Sequence, residues 1–366
     1  MLASLLKNQK VCIIDSNDEV GAKIKVSGGA KCNITNKYVT ANNYLGEVDF
    51  VEPILEQFTS TDMLKFCKEQ HLETRFDEKI VKGTYFCKTS KDVITMFKKL
   101  ISKHTLCLNT TVEEVGFSEH YTIKTNRKKI EAKKVVVASG ALSFTSLGAS
   151  PIAFDIAKTF NHPVKTLSPA LVGFTVQKEQ FWFKELSGIS AYVHATVEGK
   201  TFEGNILFAH KGITGPVILN SSLYWKKGKM SLDFLPQKTL KSFLKSNKNA
   251  STAFPLPKRF MLTFLKAMNL EDKAVSSYNK EELQRLGQLK NYEFSPAGNF
   301  GYTKAEVTRG GIDTAYVNAY TMESLVQDNL YFLGEALDVT GELGGYNFQF
   351  AWASAYVCAQ ELNSCA

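Results

Sequence analysis

Short apolar runs closed by a glycine or an acidic residue alternate along this chain with stretches whose bulky apolar residues recur every three or four positions, the pattern of a mixed α/β protein. Near the C-terminus, Leu330-Tyr331-Phe332-Leu333 predicts a buried strand that stops at Gly334 and Glu335. A glycine-rich turn at Gly341, Gly344 and Gly345 follows. Phe348, Trp352, Tyr356 and Val357 then repeat at helical spacing. A strand, a glycine turn and a helix start can serve an anion or a dinucleotide, because glycines admit a ligand to the backbone and first-turn N–H groups favour negative charge. The same succession also makes ordinary strand–turn–helix packing units.

At the other end, Met1 to Leu6 has the pattern of the tail of an apolar helix, and Val11-Cys12-Ile13-Ile14 that of a short buried strand closed by Asp15. In a dinucleotide fold an acidic residue at this point binds a ribose hydroxyl, roughly 20 residues after the glycines of G-x-G-x-x-G. No such motif precedes Asp15 here, so two readings stand: a ribose contact whose glycine loop is expected upstream of Met1, or a strand-end turn residue.

Between the ends, Asp49–Phe58, Asp62–His71 and Lys91–Lys103 predict helices, with Ser60 or Thr61 and Ser90 as N-caps. Alternating segments from Leu106 to Ser139, separated by polar turns near Glu119 and Arg127, predict a β-meander feeding a strand at Val135–Ala138. Strands are expected at Val172–Val176, Tyr192–Val197, Phe202–Phe208 and Met230–Phe234. Pro236 to Tyr292 is mainly helical, interrupted at Pro255 and Pro257, and strands return from Ala305.

Composition narrows the class. The 366 residues are 44% hydrophobic and 22% charged, a globular chain with room for more than one domain, and no apolar run approaches the ~20 residues that span a bilayer. Seven cysteines, Cys12, Cys32, Cys67, Cys87, Cys107, Cys358 and Cys365, form no C-x-x-C or metal-ligand spacing, which points to free thiols in a cytoplasmic setting and to no metal site. The net charge of +8 is concentrated between Lys226 and Lys290, where fourteen Lys or Arg stand against five Asp or Glu. Such a segment is ordinarily a solvated helical surface, and no aromatic stacking pattern or nucleic-acid motif accompanies it. A small-molecule substrate is therefore expected rather than nucleic acid or membrane. Oligomeric state is not legible.

The segment Gly21-Ala22-Lys23-Ile24-Lys25-Val26-Ser27-Gly28-Gly29-Ala30-Lys31-Cys32-Asn33-Ile34-Thr35-Asn36 resembles the G-R-K-x-x-x-S-G-G-G-R-C-N-x-T-N motif of the YhiN/BaiN-like flavoproteins, FAD-dependent oxidoreductases that include the aminoacetone-oxidase-type proteins. Leu337 to Ser354 is similar to the same family's L-D-V-x-G-x-x-G-G-Y-N-x-Q-x-A-W-x-S. Val135 to Gly140, Thr308-Arg309-Gly310-Gly311 and Thr321-Met322-Glu323-Ser324 add shorter matches, and His210 to Pro216 resembles a Gly-x-Thr-Gly-Pro segment. The chain departs from the family at Ala22 and Lys31, where Arg is usual, at Ala30 for a glycine, at Ser139 for a threonine, and across Gly148–Ala153.

The resemblance implies an α/β fold: a split Rossmann-like FAD-binding domain (residues 1–170, N-terminally incomplete, and again within 296–366) with an inserted cap, β-barrel-like over 171–235 and a helical bundle over 236–295. It implies an FAD-dependent oxidoreductase reduced by NAD(P)H. Expected cofactor contacts are Asp15, Lys23, Ser27, Gly28, Gly29, Lys31, Cys32, Asn33, the backbone of Val112, Ala138, Ser139, Gly140, Gly334, Glu335, Asp338, Gly344, Gly345, Tyr346, Asn347 and Gln349. The helix opening at Gly345-Tyr346-Asn347 would turn its positive end toward charge gathering on the flavin. Cys32 is expected to be a structural thiol, and His162, His194 and Trp352 packing residues. No general acid or base stands out. The alternative is a non-catalytic scaffold that has lost FAD and uses the basic insert on an anionic partner.

Overall fold

The computed structural model describes residues 1–78 and 81–364, so Cys365 lies outside the described residues. The chain divides into two compact units, Met1–Pro169 with Glu306–Ala366, and Ala170–Ala305.

In the first unit Cys12–Ile14 pairs in parallel with Thr105–Cys107, and Val135–Val137 with Leu330–Phe332. Parallel neighbours require crossovers. The first crossover carries the helices Val48–Gln57, Ser60–Glu69 and Ser90–Leu100, close to the expected bounds. The second carries the helix Ile152–Thr159 and then the whole second unit, which is why the domain is split in sequence.

The helix caps differ from the expected ones. Thr59 and Thr89 accept from the N–H groups of Asp62 and Asp92 at 3.2 and 3.3 Å, and the Asp62 carboxylate returns to the Thr59 N–H at 2.9 Å. In both helices the capping hydroxyl stands three residues before the N–H that it satisfies. Ser90 stands one residue too late for this and instead donates to the Lys25 carbonyl at 3.0 Å. The expected meander is present as Val112–Phe117, Tyr121–Thr125 and Lys129–Ala132.

The helix Tyr346–Ser364 runs through the core of this unit. It is apolar on most of its circumference, as a helix covered on several sides must be. Trp352 stacks between Phe348 and Phe97 with centroids at 5.4 and 5.5 Å, and Tyr356 stacks on Phe58 at 4.8 Å.

The second unit is built on a seven-stranded antiparallel sheet. Tyr292–Phe294 and Pro296–Asn299 lie at its opposite edges yet are separated only by Ser295. One residue spans only a few ångströms, so the sheet curls until its edges approach, the barrel-like form expected. An aromatic cluster of Trp182, Phe183, Phe208, Phe260 and Tyr292 fills the interior, and the Trp182 indole donates to the Tyr292 hydroxyl at 3.1 Å. The helix Pro216–Tyr224 has Gly215 at its N-cap, where a side chain would strike the Asn205 carbonyl. Among the described residues no helix is long and apolar enough to cross a membrane.

Candidate functional site

The two long motifs, far apart in sequence, meet in the first unit. Asn33–Asn36 lies against the start of the helix Tyr346–Ser364, and four side chains lock the two together. Gln349 accepts from the Thr35 hydroxyl at 2.7 Å and donates to the Phe58 carbonyl at 2.7 Å. Asn36 donates to the Gly344 carbonyl at 2.9 Å, the Trp352 indole to the Ile34 carbonyl at 2.9 Å, and the Tyr44 hydroxyl to the Tyr346 carbonyl at 2.9 Å. Asn347 folds back on Gly341, donating and accepting at 2.8 Å.

Gly344, Gly345 and Gln349, expected among the cofactor contacts, each pack against the chain itself. A Cβ on Gly345 (φ 97°) would lie 2.5 Å from the Thr35 carbonyl, and one on Gly344 would strike Val81 and Thr84. The close approach that demands glycine is therefore to the chain's own strand rather than to a ligand. Gln349 is fully buried with both ends of its amide engaged, so it positions the turn and touches nothing beyond it. Burial also pushes the Tyr346 phenol up to about 12.

A second cluster is polar. The Lys23 ammonium lies 2.8 Å from Glu335 Oε2 and donates to the Ser143 hydroxyl at 3.0 Å. Ser143 and the Thr308 N–H donate to Glu335 Oε1 at 2.7 and 3.0 Å, and the Thr308 hydroxyl accepts from the Leu142 N–H at 3.0 Å. Glu335, expected among the cofactor contacts, is thus paired with Lys23. Four segments converge here: the helix Ala22–Val26, the turn after Val135–Val137, the strand Val307–Arg309 and the Gly334–Ala336 turn. Glu306 enters at the edge of this network and makes no hydrogen bond or ion pair among the described residues. Burial raises its carboxyl above the usual range, with Lys23 pulling the other way.

The loop from Ser27 to Asn33 winds through Gly28, Gly29, Ala30 and Cys32, all at positive φ. Gly29 (φ 63°) and Gly140 (φ 74°), the latter in the Ala138-Ser139-Gly140 turn, have open space where a Cβ would stand. Backbone at these two turns is therefore accessible to a ligand, which fits a dinucleotide cofactor. Lys31 lies over the Phe86 ring at 5.3 Å, and Ser27 donates to the Ile24 carbonyl at 3.0 Å. Cys32 is fully buried and its thiol is pushed up to about 12 by burial, which suits a structural residue.

Asp15 caps its own turn, its Oδ1 accepting from the N–H and side chain of Asn17, each at 3.0 Å. Its other oxygen makes no hydrogen bond among the described residues. Val112 opens the meander opposite Thr125. Asp338 pairs with Lys165 at 3.1 Å. Gly334 is buried and donates to Ser354 at 3.2 Å.

Sequence reasoning missed Ser143, Lys165 and Glu306. A serine six residues past a strand or a lone glutamate before Val307 carries no pattern, and only the fold brings them beside Lys23, Glu335 and Asp338.

The HI0933-like protein Rossmann domain family matches residues 1–361. A ribosomal RNA dihydrouridine synthase of Haemophilus influenzae is 35% identical over 382 aligned positions, covering 99% of this chain and 94% of that protein. A 3-dehydro-bile acid delta(4,6)-reductase of Clostridium scindens is 26% identical, covering 96% and 92%. The crystal structure of 3-ketosteroid delta1-dehydrogenase from Sterolibacterium denitrificans has the same fold at a TM-score of 0.52 and 11% identity, over 100% of this chain and 97% of that one. The non-catalytic scaffold alternative falls with these matches. The chain belongs to the HI0933-like family of Rossmann-type, FAD-dependent oxidoreductases.

Proposed function

We propose that this protein reduces a carbon–carbon double bond conjugated with a carbonyl, and that its substrate is a uracil base in RNA. The observation that carries this reading is the 35% identity, over 99% of the chain, to a protein named for making dihydrouridine in ribosomal RNA. The bile-acid reductase supports the same reaction class, since its name also denotes reduction of an unsaturated ketone. RNA takes the place of the small-molecule substrate expected from the motifs alone.

FAD, when bound and reduced, supplies the hydride such a reduction needs. The chain's part is to hold and orient. The open backbone at Gly29 and at the Ala138 to Gly140 turn, with Gly28 folded tightly on Asn33 beside it and Asp15 toward the ribose, would carry the cofactor. Ser27, Lys31, Cys32 and Asn33 belong to the first of those turns, and Val112 and Asp338 would be further cofactor contacts. Lys23, clamped by Glu335 and Ser143, ties the first turn's helix to the Gly334 turn. Glu306 retains its proton to higher pH than an exposed carboxylate and is the group suited to deliver one to carbon.

The test is to incubate the FAD-loaded protein with unmodified ribosomal RNA and NADPH or NADH, then digest the RNA to nucleosides for mass spectrometry. Dihydrouridine formed only in the complete mixture is expected. Consumption of nicotinamide with no dihydrouridine would retire RNA as the substrate and leave the reductase. Neither product nor consumption would retire both.

A further inference from the structure

The second unit has a stretch of single-sign charge. From Phe234 to Leu270 there is no Asp or Glu, while seven Lys or Arg occur. Two of the seven are engaged, Lys266 pairing with Glu185 at 3.6 Å and Arg259 donating to the Glu185 carbonyl, and Lys258 stands apart at the next helix start. The other four, Lys238, Lys241, Lys245 and Lys248, fall in one short segment at spacings of three, four and three.

That segment is ordered. Successive tight turns link Leu235 to Lys238, Thr239 to Ser242, Lys241 to Leu244 and Phe243 to Ser246 at 2.9–3.4 Å. Leu240, Phe243 and Leu244 are half-buried, and Phe243 packs on Phe254 with centroids at 4.6 Å. All four lysines are exposed, and none forms an ion pair among the described residues. The lysines therefore share the outward side of an anchored ridge, three to four residues apart, with no carboxylate in the segment to neutralise them. Outside the ridge Lys229 pairs with Glu293, Lys273 with Glu282 and Lys290 with Asp233, whereas in the ridge four exposed lysines follow one another closely with no acidic residue between them.

We infer that the ridge Lys238–Lys248 is a contact surface for the phosphate backbone of single-stranded RNA. The inference rests on the RNA reading of the substrate and names the surface that would hold it. A ridge of ammonium groups on flexible stems binds phosphates without reading bases, so it supplies affinity and salt dependence rather than sequence choice. Single-stranded RNA releases about 0.7 counterion per phosphate neutralised, so four lysines set a slope of about −3 in log affinity against log salt.

The experiment measures binding of the FAD-loaded full chain to a fluorescein-labelled oligouridylate by anisotropy, across a KCl series of about 50 to 200 mM. It compares wild type with Lys238→Gln/Lys241→Gln/Lys245→Gln/Lys248→Gln. A second quadruple variant, Lys65→Gln/Lys68→Gln/Lys91→Gln/Lys99→Gln, removes the same charge from exposed lysines of the first unit. The ridge variant is expected to lose about three units of salt slope, with an unchanged bound-flavin spectrum and thermal midpoint, while the second variant keeps most of the slope. Equal losses in both variants would reduce the effect to net charge and overturn the inference. So would absence of RNA binding by wild type, or ridge-dependent sedimentation with anionic phospholipid vesicles but not with RNA. Ridge-dependent RNA binding without dihydrouridine formation would uphold the surface and count against the uridine reaction, so the two readings fail separately.

Discussion

The brace between the strand Asn33–Asn36 and the final helix predicts a specific energetic coupling. Gln349→Leu keeps the volume at a fully buried position but removes both amide contacts. The Thr35 hydroxyl, itself fully buried, and the Phe58 carbonyl are then left without their partner. A buried polar group without a partner costs about 1–3 kcal/mol, so the two together predict a loss of about 2–6 kcal/mol. Thr35→Val alone leaves only the Gln349 oxygen unmatched and should cost about 1–3 kcal/mol. In the double variant the Thr35–Gln349 pair is replaced by two apolar groups, and only the Phe58 carbonyl stays unpaired. The double loss should therefore be about 1–3 kcal/mol and fall short of the sum by at least about 2 kcal/mol. Urea unfolding of the four proteins, followed by far-UV circular dichroism, measures this cycle. Additive losses, or a Gln349→Leu loss under about 0.5 kcal/mol, would show that water or a shifted backbone satisfies these groups and that Gln349 is free for another role.

Two further outcomes follow from strain and burial. Ala30 sits at φ 67°, in the left-handed region that costs an L-residue about 1–2 kcal/mol, so Ala30→Gly should raise stability by about 0.5–1 kcal/mol after the extra freedom glycine gives the unfolded chain; a lower urea midpoint would refute it. His162 is buried with its Nδ1 unpartnered among the described residues and its pKa lowered by desolvation, so the unfolded chain takes up a proton there more readily than the native one. Stability should then fall as pH drops through about 6.5, the unfolded value, and His162→Phe should flatten that part of the urea-midpoint profile; an unchanged slope would exclude His162 as its source.

The sequence carried the fold wherever periodicity and length agreed. The helices Val48–Gln57, Ser60–Glu69 and Ser90–Leu100 have one apolar face each and polar starts, and their bounds were readable to within a few residues. Their caps were not, because Thr59-Ser60-Thr61 and Thr89-Ser90 offer several hydroxyls, and only the partner N–H three residues on selects one. The two long motifs were legible as a unit of function, yet their residues divide into two kinds that the motif cannot separate.

Gly344, Gly345, Tyr346, Asn347 and Gln349 form the brace: their polar groups are turned inward on Thr35, Phe58, Tyr44 and Gly341. Gly29 and Gly140 keep open space, and Lys23 and Glu335 a half-exposed ion pair. A motif records that a residue is required and is silent on whether the requirement comes from the ligand or from the turn that faces it. Burial separates the two. The brace holds the C-terminal glycine turn at the strand that follows the Ser27–Asn33 loop, and the Lys23–Glu335 pair ties that loop's helix to the Gly334 turn. The N-terminal loop and the C-terminal turn are thus fixed to each other twice, once through buried amides and once through a half-exposed ion pair. Loss of the buried link should therefore act on stability first, and loss of the exposed pair on cofactor retention first, because Lys23 and Glu335 retain solvent access that Gln349 lacks.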